Sequence, residues 1–134
     1  MNKPTLPTTL MLALMCLSTS FAEWEKVDES VDRSIYVDFE RVVANEGYVY
    51  YWDLVNHLEP TLHGDLSTKT YYEADCDVPH KYRVLSVLAY KESMGEGSRS
   101  RELEGDKKWH YPSPDSVVEN VIADVCFWAK VNYP

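Results

Sequence analysis

The chain has 134 residues, 45% of them hydrophobic, and its 22 acidic against 13 basic side chains give a formal charge of -9. That length suits one domain with a core of ordinary size. A surface this negative repels phosphate backbones and anionic lipid headgroups, which argues against nucleic acid as a partner.

The first 22 residues have the layout of a secretory leader. Lys3 supplies a basic start, Leu10 to Leu17 form a compact apolar run, and Ser20-Phe21-Ala22 places small residues at -3 and -1 of a cleavage site. Cleavage there predicts a signal peptide over residues 1–22 and one domain over residues 23–134, one unit more negative still because Lys3 leaves with the leader. Cys16 departs too. Lipid attachment at Cys16 needs a small residue before it, and Met15 stands there instead. No later segment approaches the roughly 20 apolar residues of a membrane-spanning helix. The expected location is exported, either periplasmic or secreted.

The domain reads as strands first and a helix last. Residues 24–27 and 35–38 suit short strands, and Asn45-Glu46-Gly47 is a turn signal between apolar runs. Residues 48–58, dense in Tyr, Val and Trp, carry the strongest strand signal, ended by a break over residues 60–64. Residues 68–76 alternate, with Tyr72, Ala74 and Cys76 on one face and Lys69, Glu73 and Asp75 on the other. In residues 81–91, Val84 and Leu88 share one face and Leu85, Val87 and Ala89 the other. Apolar residues on both faces predict a central strand covered twice, or a face used in a subunit contact. Gly95 and Gly97 mark a turn, and residues 99–103 suit a charged edge strand.

Ser116 followed by Glu119 is a capping box, and Val117, Val118, Val121, Ile122, Val125 and Cys126 then recur at helical spacing on one face. The fold class is therefore α+β: an antiparallel sheet of about five to six strands with a C-terminal helix packed on it. Cys76 and Cys126 are an even pair in an oxidising compartment, and a disulfide between them ties helix to sheet. For a loop of about 50 residues the chain-entropy contribution is roughly 4 kcal/mol.

Few constellations carry chemistry. Cys76 with a histidine is a conceivable nucleophile and base, but export favours the disulfide. Asp75-Cys76-Asp77 followed by His80 is a local candidate for a metal, yet it lacks the spacing of tight sites and reads better as a wet strand end before Pro79. His57, His63 and His110 are scattered. There is no Gly-rich phosphate loop and no Gly-x-Ser-x-Gly elbow. No catalytic residue, metal ligand, cofactor or ligand-binding residue is assigned. The ten tyrosines are more distinctive. Tyr48, Tyr50, Tyr51 and Trp52 fall in one strand and Tyr71 and Tyr72 in the next, so alternation puts some on each face. Those facing the core are packing, and any facing out form an amphipathic patch suited to protein or glycan contact.

Taken in order, Trp24, Tyr36-Val37-Asp38, Val49-Tyr50-Tyr51-Trp52-Asp53-Leu54, Glu73-Ala74-Asp75-Cys76-Asp77, Tyr90 with Met94-Gly95-x-Gly97, Trp109, Pro112-x-Pro114-x-Ser116 and Cys126 resemble the surface-adhesin protein E-like family of proteobacteria. The resemblance spans nearly all of residues 23–134. It implies an antiparallel sheet with a packed C-terminal helix, a disulfide at Cys76 and Cys126, residence in the envelope or medium of a Gram-negative bacterium, adhesion to host proteins, and room for a homodimer. The expected function is a non-enzymatic exported binding domain with a protein ligand. The alternatives are a periplasmic accessory dimer built on the face of residues 81–91, or a small metal-dependent envelope enzyme using Asp75, Asp77 and His80.

Overall fold

The computed structural model describes residues 2–4 and 23–133; the leader expected over residues 1–22 lies outside the described residues except for 2–4. Among the described residues, seven strands form one antiparallel sheet, β1 (Glu25–Glu29), β2 (Arg33–Val37), β3 (Val43–Asn45), β4 (Tyr48–His57), β5 (Ser67–Asp75), β6 (Lys81–Tyr90) and β7 (Arg99–Glu104), followed by one helix, α1 (Val117–Asn132). The spatial order is β1-β2-β4-β5-β6-β7, and β3 also pairs with β4. β2 and β3 share one edge of β4: β2 runs beside Asp53 to His57, β3 beside Tyr48 to Tyr50. A 3-10 turn, Phe39–Arg41, carries the chain between them.

β3 is the strand that the turn signal at Asn45-Glu46-Gly47 concealed. Glu46 (φ 52°) and Gly47 (φ 83°) are both left-handed, which makes a two-residue hairpin turn whose twist matches the flanking strands. The outer strands, β1 and β7, are Glu-Lys-Val-Asp-Glu and Arg-Ser-Arg-Glu-Leu-Glu. Such charged edges discourage further strand addition.

Alternation along β4 decides which face is buried by the helix. Val49 and Tyr51 point inward with Val37 of β2 and Ala74 of β5, and they meet Val121, Ile122, Val125 and Ala129 of α1. Ile122, Val125, Val37 and Ala74 have no exposed surface. Val118 and Cys126 are partly buried at the margin, but Val117 is 38% exposed: the buried stripe of α1 starts one turn later than the spacing predicts. The helix starts as its cap dictates. Ser116 Oγ accepts the Glu119 amide (3.2 Å), while the Glu119 carboxylate accepts the Asp115 amide (2.6 Å), one residue upstream of the cap. Cys76, just past β5, and Cys126 on α1 are joined in a disulfide, with Cα atoms 5.6 Å apart. It fastens the helix to the end of the sheet.

β6 departs from simple alternation. Val84 opposes Tyr72 and Ser86 opposes Tyr71, leaving Leu85 as an extra residue in a bulge. The insertion flips the pattern, so Val84 lies on the helix face and Leu88, opposite Lys69, on the outer face. The expectation that Val84 and Leu88 share a face is corrected by that one residue. The outer face is covered at one end by the turn at Ser93–Gly95. Ser67 Oγ donates to the Glu92 carbonyl (2.6 Å) and accepts the Gly95 amide (2.8 Å), and Asn56 Oδ1 accepts the Met94 amide (2.9 Å). This lid and the Lys69 stem, which lies against Gly95, account for the complete burial of Leu54.

Candidate functional site

The rest of the outer face is open. Tyr48, Tyr50 and Trp52 project from β4 on the side away from α1 because they alternate with Val49 and Tyr51. β5 brings Tyr71 opposite Trp52, and their rings stack at 4.8 Å with 21° between planes. Tyr50 lies 6.4 Å from Tyr71, and Tyr48 lies 5.8 Å from Trp109. All five rings are half-buried, so each presents one side to solvent. The result is a band of aromatic surface running across the sheet.

Trp109 comes from outside any strand. The segment after β7 docks along β6: the Gly105 amide donates to Leu85 (3.1 Å), and Tyr82 and His110 exchange backbone hydrogen bonds of 2.9 and 2.8 Å. Lys81 and Arg83, two apart on β6 and therefore on one face, reach over the Trp109 ring at 4.7 and 4.6 Å. Arg83 also holds Glu73 at 2.9 and 3.2 Å. Hydrogen bonding to Glu73, with burial, pushes the Tyr50 hydroxyl above its usual range; burial does the same to Tyr71. Both phenols thus stay neutral donors at physiological pH. Beyond Trp52 the band ends in a cleft of about 200 Å³ lined by Trp24, Asp38, Arg41, Trp52, Lys69, Leu88 and Tyr90. Lys69 Nζ sits 4.7 Å from the Tyr90 ring and 5.7 Å from the Trp24 ring. Asp38 is buried within the cleft and pairs with Arg41 at 3.2 Å, and burial raises its carboxyl above the usual range against that cation.

Rigid half-exposed rings with neutral hydroxyls and stacked cations are the groups that anchor protein interfaces.

The sites considered from sequence fall elsewhere. Cys76 is in the disulfide, which removes it as a nucleophile. Asp75 accepts the Asp77 amide in a local turn (2.9 Å) and sits 4.0 Å from Lys81. Among the described residues no group of three or more His, Cys, Asp or Glu side chains is placed to hold a metal ion, so Asp75, Asp77 and His80 do not converge. His57 contacts Thr68 and His110 contacts Asp106, each 3.0 Å or more apart. Lys81 and Arg83 were missed from sequence, although Lys-x-Arg in a strand already puts both cations on one face.

The model of the family described as surface-adhesin protein E matches residues 24–127. The chain belongs to the surface-adhesin protein E family. Two crystal forms of Haemophilus influenzae protein E share its fold: one at TM-score 0.60 and 19% identity, covering 82% of this chain and 85% of that one, and crystal form II at 0.61 and 19%, covering 82% and 88%. Protein E from non-typeable Haemophilus influenzae matches at TM-score 0.57 and 17% identity, covering 81% and 87%. No curated protein is significantly similar to the chain. Membership of the surface-adhesin protein E family makes this an adhesin-like binding protein of an exported class. Among the described residues no helix is long and apolar enough to cross a membrane.

Proposed function

We propose that the chain is a non-enzymatic binding domain, exported on a leader cleaved after Ala22, whose outer sheet face docks on a host or envelope protein. The observation that carries this is the aromatic band of Tyr48, Tyr50, Trp52, Tyr71 and Trp109, left uncovered on the face opposite α1 and edged by Lys81 and Arg83. Aromatic rings with few rotatable bonds and a polar edge lose little entropy on docking, and they are the side chains most often found as binding hot spots. The mixed charges around the band favour a partner with interspersed charges over a uniformly charged polymer.

The test is a binding panel. Residues 23–134 are immobilised through the C-terminus and exposed to purified host matrix proteins and to envelope proteins of the producing bacterium. Saturable binding to a panel member, weakened by Trp52→Ala and Tyr50→Ala in folded protein, supports the reading. Binding untouched by both substitutions, or none at micromolar concentration, refutes it.

A further inference from the structure

The opposite face of the sheet holds a second concavity. A cavity of about 240 Å³ opens between the first turns of α1 and strands β1, β2, β4 and β5. Ile35, Val55, Val118 and Val121 make its walls apolar, and Asp53 lies among them in the middle of β4. Asp53 is 8% exposed. One side of its carboxyl is satisfied by the Tyr72 hydroxyl and by Thr70. The other oxygen, Oδ1, is buried with no hydrogen-bond partner.

An acceptor with spare capacity in apolar surroundings calls for a donor, and a carboxylate there calls for a cation. The protein supplies Oδ1 with neither. Arg33 lines the cavity, but its guanidinium lies 3.9 Å from Asp32 on the solvent side. Asp28 lines the same cavity, and a smaller adjoining pocket of about 40 Å³ adds Asp124. The approach is therefore acidic on a chain of charge -9, a field that draws cations inward.

We infer that this cavity is a binding site for a primary alkylammonium group, its apolar stem against Ile35, Val55, Val118 and Val121 and its nitrogen paired with the carboxyl of Asp53. Two sources carry that chemistry, a free alkylamine and a lysine side chain of a partner. The site is on the helix face, away from the aromatic band, and stands whether or not the band binds protein.

The test uses residues 23–134 with the disulfide formed. The probes are 3-methylbutylammonium, its neutral isostere 3-methylbutanol, and N-acetyl-lysine methylamide, each followed by methyl NMR of Ile35, Val118 and Val121 and by calorimetry. The ammonium should bind saturably with a Kd of about 1 mM, the affinity expected of so small a ligand, and the alcohol about tenfold more weakly. Asp53→Asn should remove that preference, and Val118→Phe, which fills the cavity, should abolish binding of both. Ammonium affinity should rise between about pH 6 and pH 8 as Asp53 ionises, while alcohol affinity stays flat. The other titratable or charged groups lining the cavity around Asp53 are Asp28 (β1), Arg33 (β2), Tyr51 (β4) and Tyr72 (β5), with none from the α1 residues that line it. If the lysine derivative binds as well as the free amine, the source is a partner's lysine; if only the free amine binds, it is a small metabolite. Equal affinity for ammonium and alcohol, or no saturation at about 20 mM, overturns the inference. Should Asp53→Asn not fold, the Val118→Phe variant and the alcohol comparison still decide it.

Discussion

Asp53 makes the stability of this domain depend on pH in an unusual direction. Burial, opposed by hydrogen bonds from Tyr72 and Thr70, pushes its carboxyl from 3.8 up to about 7. Below pH 3.8 the folded and unfolded chains both hold the proton, and the contribution to stability is fully present. Between 3.8 and about 7 the unfolded chain has released it while the folded chain keeps it, so stability falls as pH rises; above about 7 the dependence flattens. Each pH unit in that window is worth about 1.4 kcal/mol, and the whole window at most about 4 kcal/mol. Asp65 acts with the opposite sign: Ser100, Arg101 and Lys91 hold its carboxyl below the usual range, so its contribution is lost on acidification. The comparison of wild type with Asp53→Asn isolates the first effect, because the amide keeps the shape and cannot ionise. Urea unfolding of residues 23–134, disulfide intact, from about pH 4.5 to pH 8 should show wild type losing several kcal/mol relative to Asp53→Asn, with the two curves parallel above about pH 8. Curves parallel throughout would refute the placement of Asp53 as a neutral buried acid.

Further expectations follow from the packing. Cys76→Ser with Cys126→Ser opens a link spanning 50 residues and should cost about 4 kcal/mol in chemical denaturation under oxidising conditions. Ile122→Ala, at the fully buried centre of the helix face, should cost about 2–5 kcal/mol, read from the urea midpoint. Gly105→Ala puts a methyl group into the Val84 carbonyl, so it should destabilise by about 1–3 kcal/mol and, by lifting the segment that delivers Trp109, alter the fluorescence of that ring. Trp52→Ala, half-exposed on the aromatic band, should weaken partner binding by about 2 kcal/mol, near thirtyfold, while far-UV circular dichroism stays unchanged.

The strands of this fold were legible wherever alternation was regular. The 48–58 signal became β4 and the 68–76 signal β5 with small shifts at the ends, and Ser116 with the spaced valines announced α1. β3 was hidden because three residues are too short to show a period. The face assignments on β6 went astray for a different reason. The Leu85 bulge lies where the 105–107 segment docks on Val84 and Leu85, a tertiary contact with no local signature. The aromatic band was half legible: the rings could be counted in sequence, but which of them faced out depended on where α1 packed. Trp109 and its two cations are joined only by the return of the chain along β6. Asp53, one acid inside an apolar strand, was not singled out from sequence. Its burial follows from the register Asp53↔Thr70, which sets it on the helix face beside Tyr51, Val55 and Tyr72.

Hydroxyl-radical footprinting of residues 23–134, free and bound to the panel protein that captures it, tests the central claim most directly. The band predicts that Tyr50, Trp52, Tyr71 and Trp109 lose oxidation on binding while Phe127 and Tyr133, exposed on and beside α1, keep theirs. Protection of Phe127 and Tyr133 with the four band residues unchanged would put the binding surface on the wrong side of the sheet.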